Sequence, residues 1–289
     1  MRNNSTIKVH LCSFASQDLN LSVNRFTSQA KNMGVYENIK VFRPSDFSDE
    51  LKERIKKLFQ QGGKKRYYGF DSWRPEIIKK YLKDLPEGSI LHYSDIGNHL
   101  NQRGAQRLID YVSMTKKYNM TVFEYGDPCT QFKKYNYKFQ KYMEYQYTKS
   151  DVLRYFDLTN ESRVFNSPQI WGGTFFLKKS NFSSNFLNQW ELANNNTQLL
   201  DDSPSVYKNH KDFLGMRGCQ SIFSIICKLN NVNKLSATEC EWAENDSKRV
   251  WNHLSDYPIL AKRDKQFNVL KRFLNRQKKT LNKYLQKLR

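Results

Sequence analysis

Asp95 stands in the run Tyr93-Ser94-Asp95-Ile96-Gly97, directly behind Ser89-Ile90-Leu91-His92-Tyr93, which reads as a short strand. A carboxylate at the end of a strand can hold a divalent cation, and a cation there can neutralise charge that grows on a departing phosphate. Aspartates after strands also form turns and cap helices, so the local sequence leaves both readings open. Ser94 and Gly97 belong to the same candidate site, because glycine lets the backbone approach a phosphate or sugar closely. Ser13 and Ala15 fall where an earlier strand ends; such small residues leave room for a nucleobase or ribose, or simply make a tight turn. Arg25 offers a bidentate grip on a diphosphate, or a solvated charge on a helix face. Trp73 and Arg74 precede Pro75 at an expected helix start, where free backbone N–H groups can receive an anion. The alternative is that Tyr68, Phe70 and Trp73 fill the core; Asp71 and Arg74, interleaved among them, favour the binding role. In Trp171-Gly172-Gly173 the glycine pair either admits a ligand, making this an acceptor-facing strand, or marks a bulge.

The elements that must carry these residues alternate between strands and helices. Residues 7–14 read as a first strand, 19–33 as a helix closing at Gly34, and 39–42 as a second strand. A Lys- and Glu-rich helix is expected over 50–59, ended by Gly62-Gly63, and another from Pro75 to Leu85, since proline favours the first helical turn. Residues 105–118 predict a helix, 120–125 a strand, 127–147 an irregular or helical insert, and 148–151 a helix start. A strand over 169–177 and helices over 181–193 and 217–229 follow, with a polar, mobile loop at 194–213 between the helices. No internal repeat is visible. Residues 262–289 are strongly basic, with Phe267, Leu270, Phe273, Leu274, Leu281, Tyr284, Leu285 and Leu288 at helical spacing, so a basic amphipathic C-terminal helix is expected behind an α/β domain of residues 1–261.

Composition bounds the function. A chain of 289 residues with 38% hydrophobic and 14% aromatic content can bury a core and is not a disordered one. No apolar run reaches the roughly 20 residues that span a bilayer, and a polar N-terminus lacks the pattern of a signal peptide, so a cytoplasmic location is expected. The five cysteines are scattered and form no C-x-x-C pair, which argues against a disulfide framework or a zinc site. His10, His92, His99, His210 and His253 show no metal-ligand spacing, and neither a P-loop nor a G-x-S-x-G pattern occurs. The net charge of +20 calls for an anionic partner, although abundant Lys and Asn also reflect codon bias.

The order of these elements resembles a family of bacterial glycosyltransferases of the GT-A fold, found in surface-polysaccharide and lipopolysaccharide gene clusters. The matching stretches are Ser13-Phe14-Ala15, the helix with Asn24-Arg25 and Gln29-Ala30, Tyr68-Gly69-Phe70-Asp71-Ser72-Trp73-Arg74-Pro75, Tyr93-Ser94-Asp95-Ile96-Gly97, Lys149-Ser150-Asp151, the strand 169–176 and Gln220-Ser221-Ile222-Phe223. The resemblance implies a Rossmann-type mixed sheet flanked by helices and a nucleotide-sugar donor whose diphosphate lies near Asp95. It implies hexosyl or N-acetylhexosaminyl transfer to a cell-surface glycan or lipid-linked acceptor, with Trp171, Gly172, Gly173 and Gln220 on the acceptor side. A divalent cation, manganese or magnesium, would be held by Asp95 and a late histidine, for which His253 is the candidate. Two departures stand out: the metal motif is Asp-x-Gly where Asp-x-Asp is usual, and Cys219 stands where an aspartate is expected. Inverting transfer needs a carboxylate base, for which Asp151 and Asp212 are candidates, while Asp151 also reads as a helix-start carboxylate.

Two further expectations follow from the charge. A basic terminal helix would dock an enzyme on the inner membrane surface, each basic residue near an anionic leaflet contributing about 1 kcal/mol. The competing class is a nucleic-acid-binding protein without catalytic activity, which the basicity and the many aromatics would suit but for which no recognisable module is present.

Overall fold

The computed structural model describes residues 9–60, 67–159 and 161–267. Their strands are β1 (Val9–Phe14), β2 (Tyr36–Phe42), β3 (Ile90–Ser94), β4 (His99–Leu100), β5 (Met120–Glu124), β6 (Lys138–Phe139), β7 (Ile170–Lys178), β8 (Asn233–Ser236), β9 (Ala243–Asn245), β10 (Lys248–Val250) and β11 (Ile259–Leu260). Their helices are α1 (Asn20–Met33), α2 (Asp49–Gln60), α3 (Tyr67–Phe70), α4 (Arg74–Lys83), α5 (Ala105–Tyr118), α6 (Glu144–Tyr147), α7 (Ser150–Tyr155), α8 (Ser162–Phe165), α9 (Asn181–Asn195) and α10 (Cys219–Leu229).

Six strands form a mixed sheet in the order β2-β1-β3-β7-β5-β8. β1 is parallel to β2 and to β3, β5 is parallel to β8, and β7 runs antiparallel between β3 and β5. This arrangement brings the start of β7 to the same edge as the ends of β1, β3 and β5, the edge beyond which open α/β sheets bind ligands. Side chains alternate across the sheet. Cys12, Phe14, Phe175 and Leu177 pack with α2, α4, α9 and α10 on one face, while Leu11 and Phe176 pack with α1 and α5 on the other. The result is the expected α/β architecture, a mixed sheet flanked by helices.

Local rules account for the helices that border the site. In α1, Phe26, Ala30 and Met33 are buried at helical spacing, and Gly34 closes the helix at φ 67°, a conformation glycine adopts without a side-chain penalty. In α4, Pro75 occupies the first turn, and Ile77, Ile78 and Leu82 face the core. Among the described residues no helix is long and apolar enough to cross a membrane.

Three expectations change. The helix expected over 262–289 lies mostly outside the described residues, and the part that is described, 262–267, is not helical but crosses the start of α1. There the Gln266 backbone N–H donates to the Ser22 hydroxyl at 2.6 Å, and the Asp264 N–H donates to the Gly97 carbonyl at 2.8 Å. The helix expected to start over 148–151 begins at Ser150 behind Lys149, so Thr148, where a capping residue would be expected, does not cap it; its hydroxyl donates to Glu144 at 2.6 Å. The loop expected to be mobile is tethered, because Lys149 donates to the Gln198 carbonyl at 3.0 Å and Asp151 accepts from the backbone N–H groups of Val206 and Tyr207 at 3.1 and 3.0 Å.

Candidate active site

β3 delivers Asp95 to the sheet edge, and the turn behind it is braced from three sides. The Asp95 N–H donates to the Gly173 carbonyl at 2.9 Å, extending the β3–β7 pairing by one residue. The Asn98 amide donates to the Ser94 hydroxyl and to the Gly173 carbonyl, both at 3.0 Å. Arg25 then donates to the carbonyls of Ile96 and Asn98 at 2.6 and 2.7 Å. Its guanidinium is thereby committed to holding the turn, which corrects the expectation that it would grip a diphosphate.

The Asp95 carboxylate accepts from the Tyr93 hydroxyl at 2.7 Å and from the Arg74 guanidinium at 3.2 Å, both on Oδ1. The same Arg74 nitrogen lies 3.2 Å from Oδ2 of Asp71. Arg74 is buried, whereas the Asp95 and Asp71 side chains are 41% and 21% exposed. One buried cation thus bridges two carboxylates that both reach solvent. Burial pushes the Asp71 carboxyl up to about 6, with Arg74 opposing the shift and Asp95 adding to it.

Asp71 reaches this position through an unusual backbone. Tyr68, Gly69, Phe70 and Asp71 have φ of 52°, 79°, 56° and 59°, a full left-handed turn in which three residues carry side chains. Each of those three is disfavoured by roughly 1–2 kcal/mol. Packing offsets this: Phe70 is buried, Tyr68 lies against Phe14 and Phe59 with ring centroids 5.4 and 5.5 Å apart, and Trp73 packs against Phe14 with centroids 4.1 Å apart. Strain of this kind, held by its surroundings, gathers at functional sites.

Two cavities meet at the carboxylates. The first, of about 550 Å³, is lined by Phe14, Ser16, Asp18, Tyr68 and Trp73 from the β1 side and by Arg263, Lys265 and Phe267 from the C-terminal stretch. The second, of about 450 Å³, is lined by Tyr125, Tyr142, Tyr147, Arg217, Gln220, Trp242 and Arg249. Asp71, Asp95, Trp171 and Arg263 line both. A group bound in one cavity is therefore presented to a group bound in the other beside two carboxylates.

Several residues singled out in the sequence meet here: Trp73 and Gly97 on the first cavity, Arg74, Gly173 and Gln220 on the second, and Asp95 and Trp171 on both. The glycines serve the protein's own chain. A Cβ on Gly97 would lie 3.1 Å from the Arg263 backbone, one on Gly172 would crowd Arg74 and Gln220, and one on Gly173 would strike the Trp171 indole at 2.4 Å. Ser94 is buried beneath the turn, not exposed to a ligand. Ser13 and Ala15 are buried as well, since the alternation of β1 turns Phe14 to the first cavity, and Ser16 lines it beyond the strand.

The remaining expectations fall elsewhere. Asp151 is spent on the tethered loop, and Asp212 lies exposed beside His210 at 3.6 Å; neither lines the two cavities. His253 is buried among Phe132 and Phe139, with Nε2 3.1 Å from the Glu241 carbonyl, and burial lowers its pKa to about 4. It does not join Asp95 as a metal ligand, and among the described residues no three His, Cys, Asp or Glu side chains form a metal-binding group. Cys219 is fully buried, and burial pushes its thiol up to about 12, so it supplies no replacement for a carboxylate. Asp71 carried a local signal, its place with Arg74 among the aromatics of 68–73, although nothing there named it as a base. The alternating Arg263, Lys265 and Phe267 carried another, a period of two, whereas Arg217 and Arg249 carried none.

The chain matches no protein-family model and no curated protein. Among solved structures it is similar to the apo form of mouse xyloside xylosyltransferase 1, with 12% identity and a TM-score of 0.39 over 81% of this chain and 87% of that one.

Proposed function

We propose that the chain transfers a sugar from a nucleotide-sugar donor to a saccharide acceptor. The observation that carries this reading is the junction of two cavities at Asp71 and Asp95. A group-transfer enzyme needs its donor and acceptor side by side at a common point, with carboxylates there to manage charge and protons. The first cavity suits the nucleotide. Its aromatic lining offers surfaces for a base, and Lys265 brings positive charge to the side where a diphosphate would lie. The second, polar cavity suits the acceptor.

Asp71 is the base in this scheme. With its pKa raised to about 6 it is ionised near neutral pH yet basic enough to accept a proton. An acceptor hydroxyl attacks the anomeric carbon, its proton passes to Asp71, and the diphosphate leaves with the bonding electron pair. Arg74 holds both carboxylates in place without itself needing to move.

The second oxygen of Asp95 has no partner among the described residues, which fits a divalent cation that keeps its waters and is shared with substrate phosphates. Such a cation, manganese or magnesium, would neutralise the leaving diphosphate. The acceptor class, a cell-surface glycan or its lipid-linked precursor, rests on the sequence resemblance, as does hexosyl or N-acetylhexosaminyl transfer; docking of the basic C-terminus on an anionic leaflet rests on its charge.

Thermal unfolding with UDP-, GDP-, CMP- and dTDP-sugars, with and without manganese, tests the assignment. One nucleotide class should raise the wild-type midpoint, and Asp95→Asn should lose that response. Indifference of the wild type to every compound would remove the basis for the proposal.

A further inference from the structure

The second cavity is richer in positive charge than transfer to a neutral sugar requires. Four arginines line it, Arg74, Arg217, Arg249 and Arg263, against two aspartates, Asp71 and Asp95. Two of the arginines are already paired. Arg74 serves both aspartates, and Arg263 donates to Glu241 at 3.0 Å. Arg217 and Arg249 have no carboxylate partner among the described residues.

These two are held by aromatic rings instead. The Arg217 guanidinium carbon lies 3.9 Å from the Tyr142 ring centroid and 3.8 Å from that of Tyr147, and its NH1 makes a long contact of 3.4 Å with Gln169. Arg249 lies 4.5 Å from the Trp242 ring. A guanidinium held over aromatic rings is fixed in place, and its N–H groups that do not face a ring can still donate to an anion. The stacking also occupies the faces of Tyr142 and Tyr147, surfaces on which a neutral sugar would otherwise pack. The rings therefore position charge.

We propose that this cavity binds an acceptor saccharide bearing an anionic group, a carboxylate or a phosphate, with Arg217 as its main partner and Arg249 as the second. The acceptor role rests on the reading of the first cavity as the nucleotide site; the preference for an anion rests on the arginines alone.

The test is calorimetric titration of the protein with glucose, glucuronic acid and glucose 6-phosphate, each with and without nucleotide, using UDP, GDP, CMP and dTDP in turn. Glucuronic acid or glucose 6-phosphate should bind roughly tenfold or more tightly than glucose, and the stronger of the two identifies the anion. Arg217→Gln should abolish the preference and Arg217→Lys should keep part of it, with nucleotide binding unchanged in both. Because Arg217 packs on tyrosine rings, the exposed Arg249→Gln serves as a second variant and should reduce the preference several-fold. Equal binding of glucose and the two acids would overturn the proposal and leave the nucleotide reading standing. Loss of nucleotide affinity in Arg217→Gln, with sugar affinities unchanged, would also overturn it by moving Arg217 to the donor. Failure of every nucleotide to bind the wild type would overturn the nucleotide reading and the acceptor role together.

Discussion

Asp95 and Asp71 share one arginine and reach it by opposite routes. Asp95 follows a strand, and its turn closes on ordinary hydrogen bonds to Gly173, Asn98 and Arg25. Asp71 ends a left-handed turn in which three side-chain-bearing residues sit in a disfavoured region. The first position costs the backbone nothing beyond pairing that the sheet already supplies. The second exists because Tyr68, Phe70 and Trp73 are packed firmly enough to hold it. A carboxylate on a sheet edge is rigid by default, whereas one on a strained loop stays placed only while its packing persists.

The arginine that joins them is the point at which the comparison breaks most severely. Arg74→Met leaves two carboxylates facing each other across a buried, apolar side chain, and removing one partner of a buried ion pair typically costs about 3–5 kcal/mol. The urea midpoint should fall accordingly near neutral pH and recover in part in mild acid, where Asp71 takes up its proton. An unchanged midpoint would mean that the carboxylates do not depend on this cation. Asp95→Asn should divide function from stability. The amide oxygen can still accept from Tyr93 and Arg74, so unfolding should hardly move, while loss of the charge should lower kcat/KM by roughly 10²–10³-fold. A variant with near wild-type turnover would remove Asp95 from the chemistry.

The left-handed turn is sharpened by Gly69→Ala. At φ 79° alanine carries the penalty of a left-handed residue, and its Cβ would meet the Ile55 side chain at 3.2 Å. A loss of roughly 1–2 kcal/mol is expected in thermal unfolding. Activity should fall further than that loss alone explains, because Asp71 is placed by the same turn. Activity scaling only with the folded fraction would show that the turn is structural packing and nothing more.

The same contrast explains what could be read from the residues. Asp95 was legible because strand patterning is a period-of-two signal that ends where the side chain must project, and the helices α1, α4 and α5 were legible from spacing, Gly34 and Pro75. Ser13 and Ala15 lie on and just after the right strand, but small size is no guide to which face the alternation exposes; Phe14 faces the cavity. Gly97 and Gly173 were recognised as places of close approach, yet what approaches is Arg263 and Trp171, contacts between residues far apart in the chain or across a local kink. Arg217 and Arg249 had no local signal, because Arg217 stands in the loop ahead of α10 and Arg249 in β10, a strand of three residues paired with another of three. A run of left-handed residues was equally invisible: Tyr and Phe at positive φ contradict their local preference, and only tertiary packing overrides it.

The effect most diagnostic of Asp71 is a dependence on pH. Its carboxyl is raised in the folded protein to about 6 from an ordinary 3.8, so the folded state holds the proton more tightly than the unfolded chain does. The stability this confers is complete below the ordinary value and is lost as pH rises through about 6; Asp71→Asn should therefore flatten the decline in unfolding midpoint over that window. Catalysis runs the other way, since a base must be ionised. The wild-type rate should climb with pH around a midpoint of about 6, and that limb should vanish in Asp71→Asn, leaving a low, pH-independent rate. Opposite slopes for stability and activity, both removed by one substitution, distinguish a base held in a strained turn from a carboxylate that merely pairs with Arg74. If the acid limb persists in Asp71→Asn, the proton goes to another group.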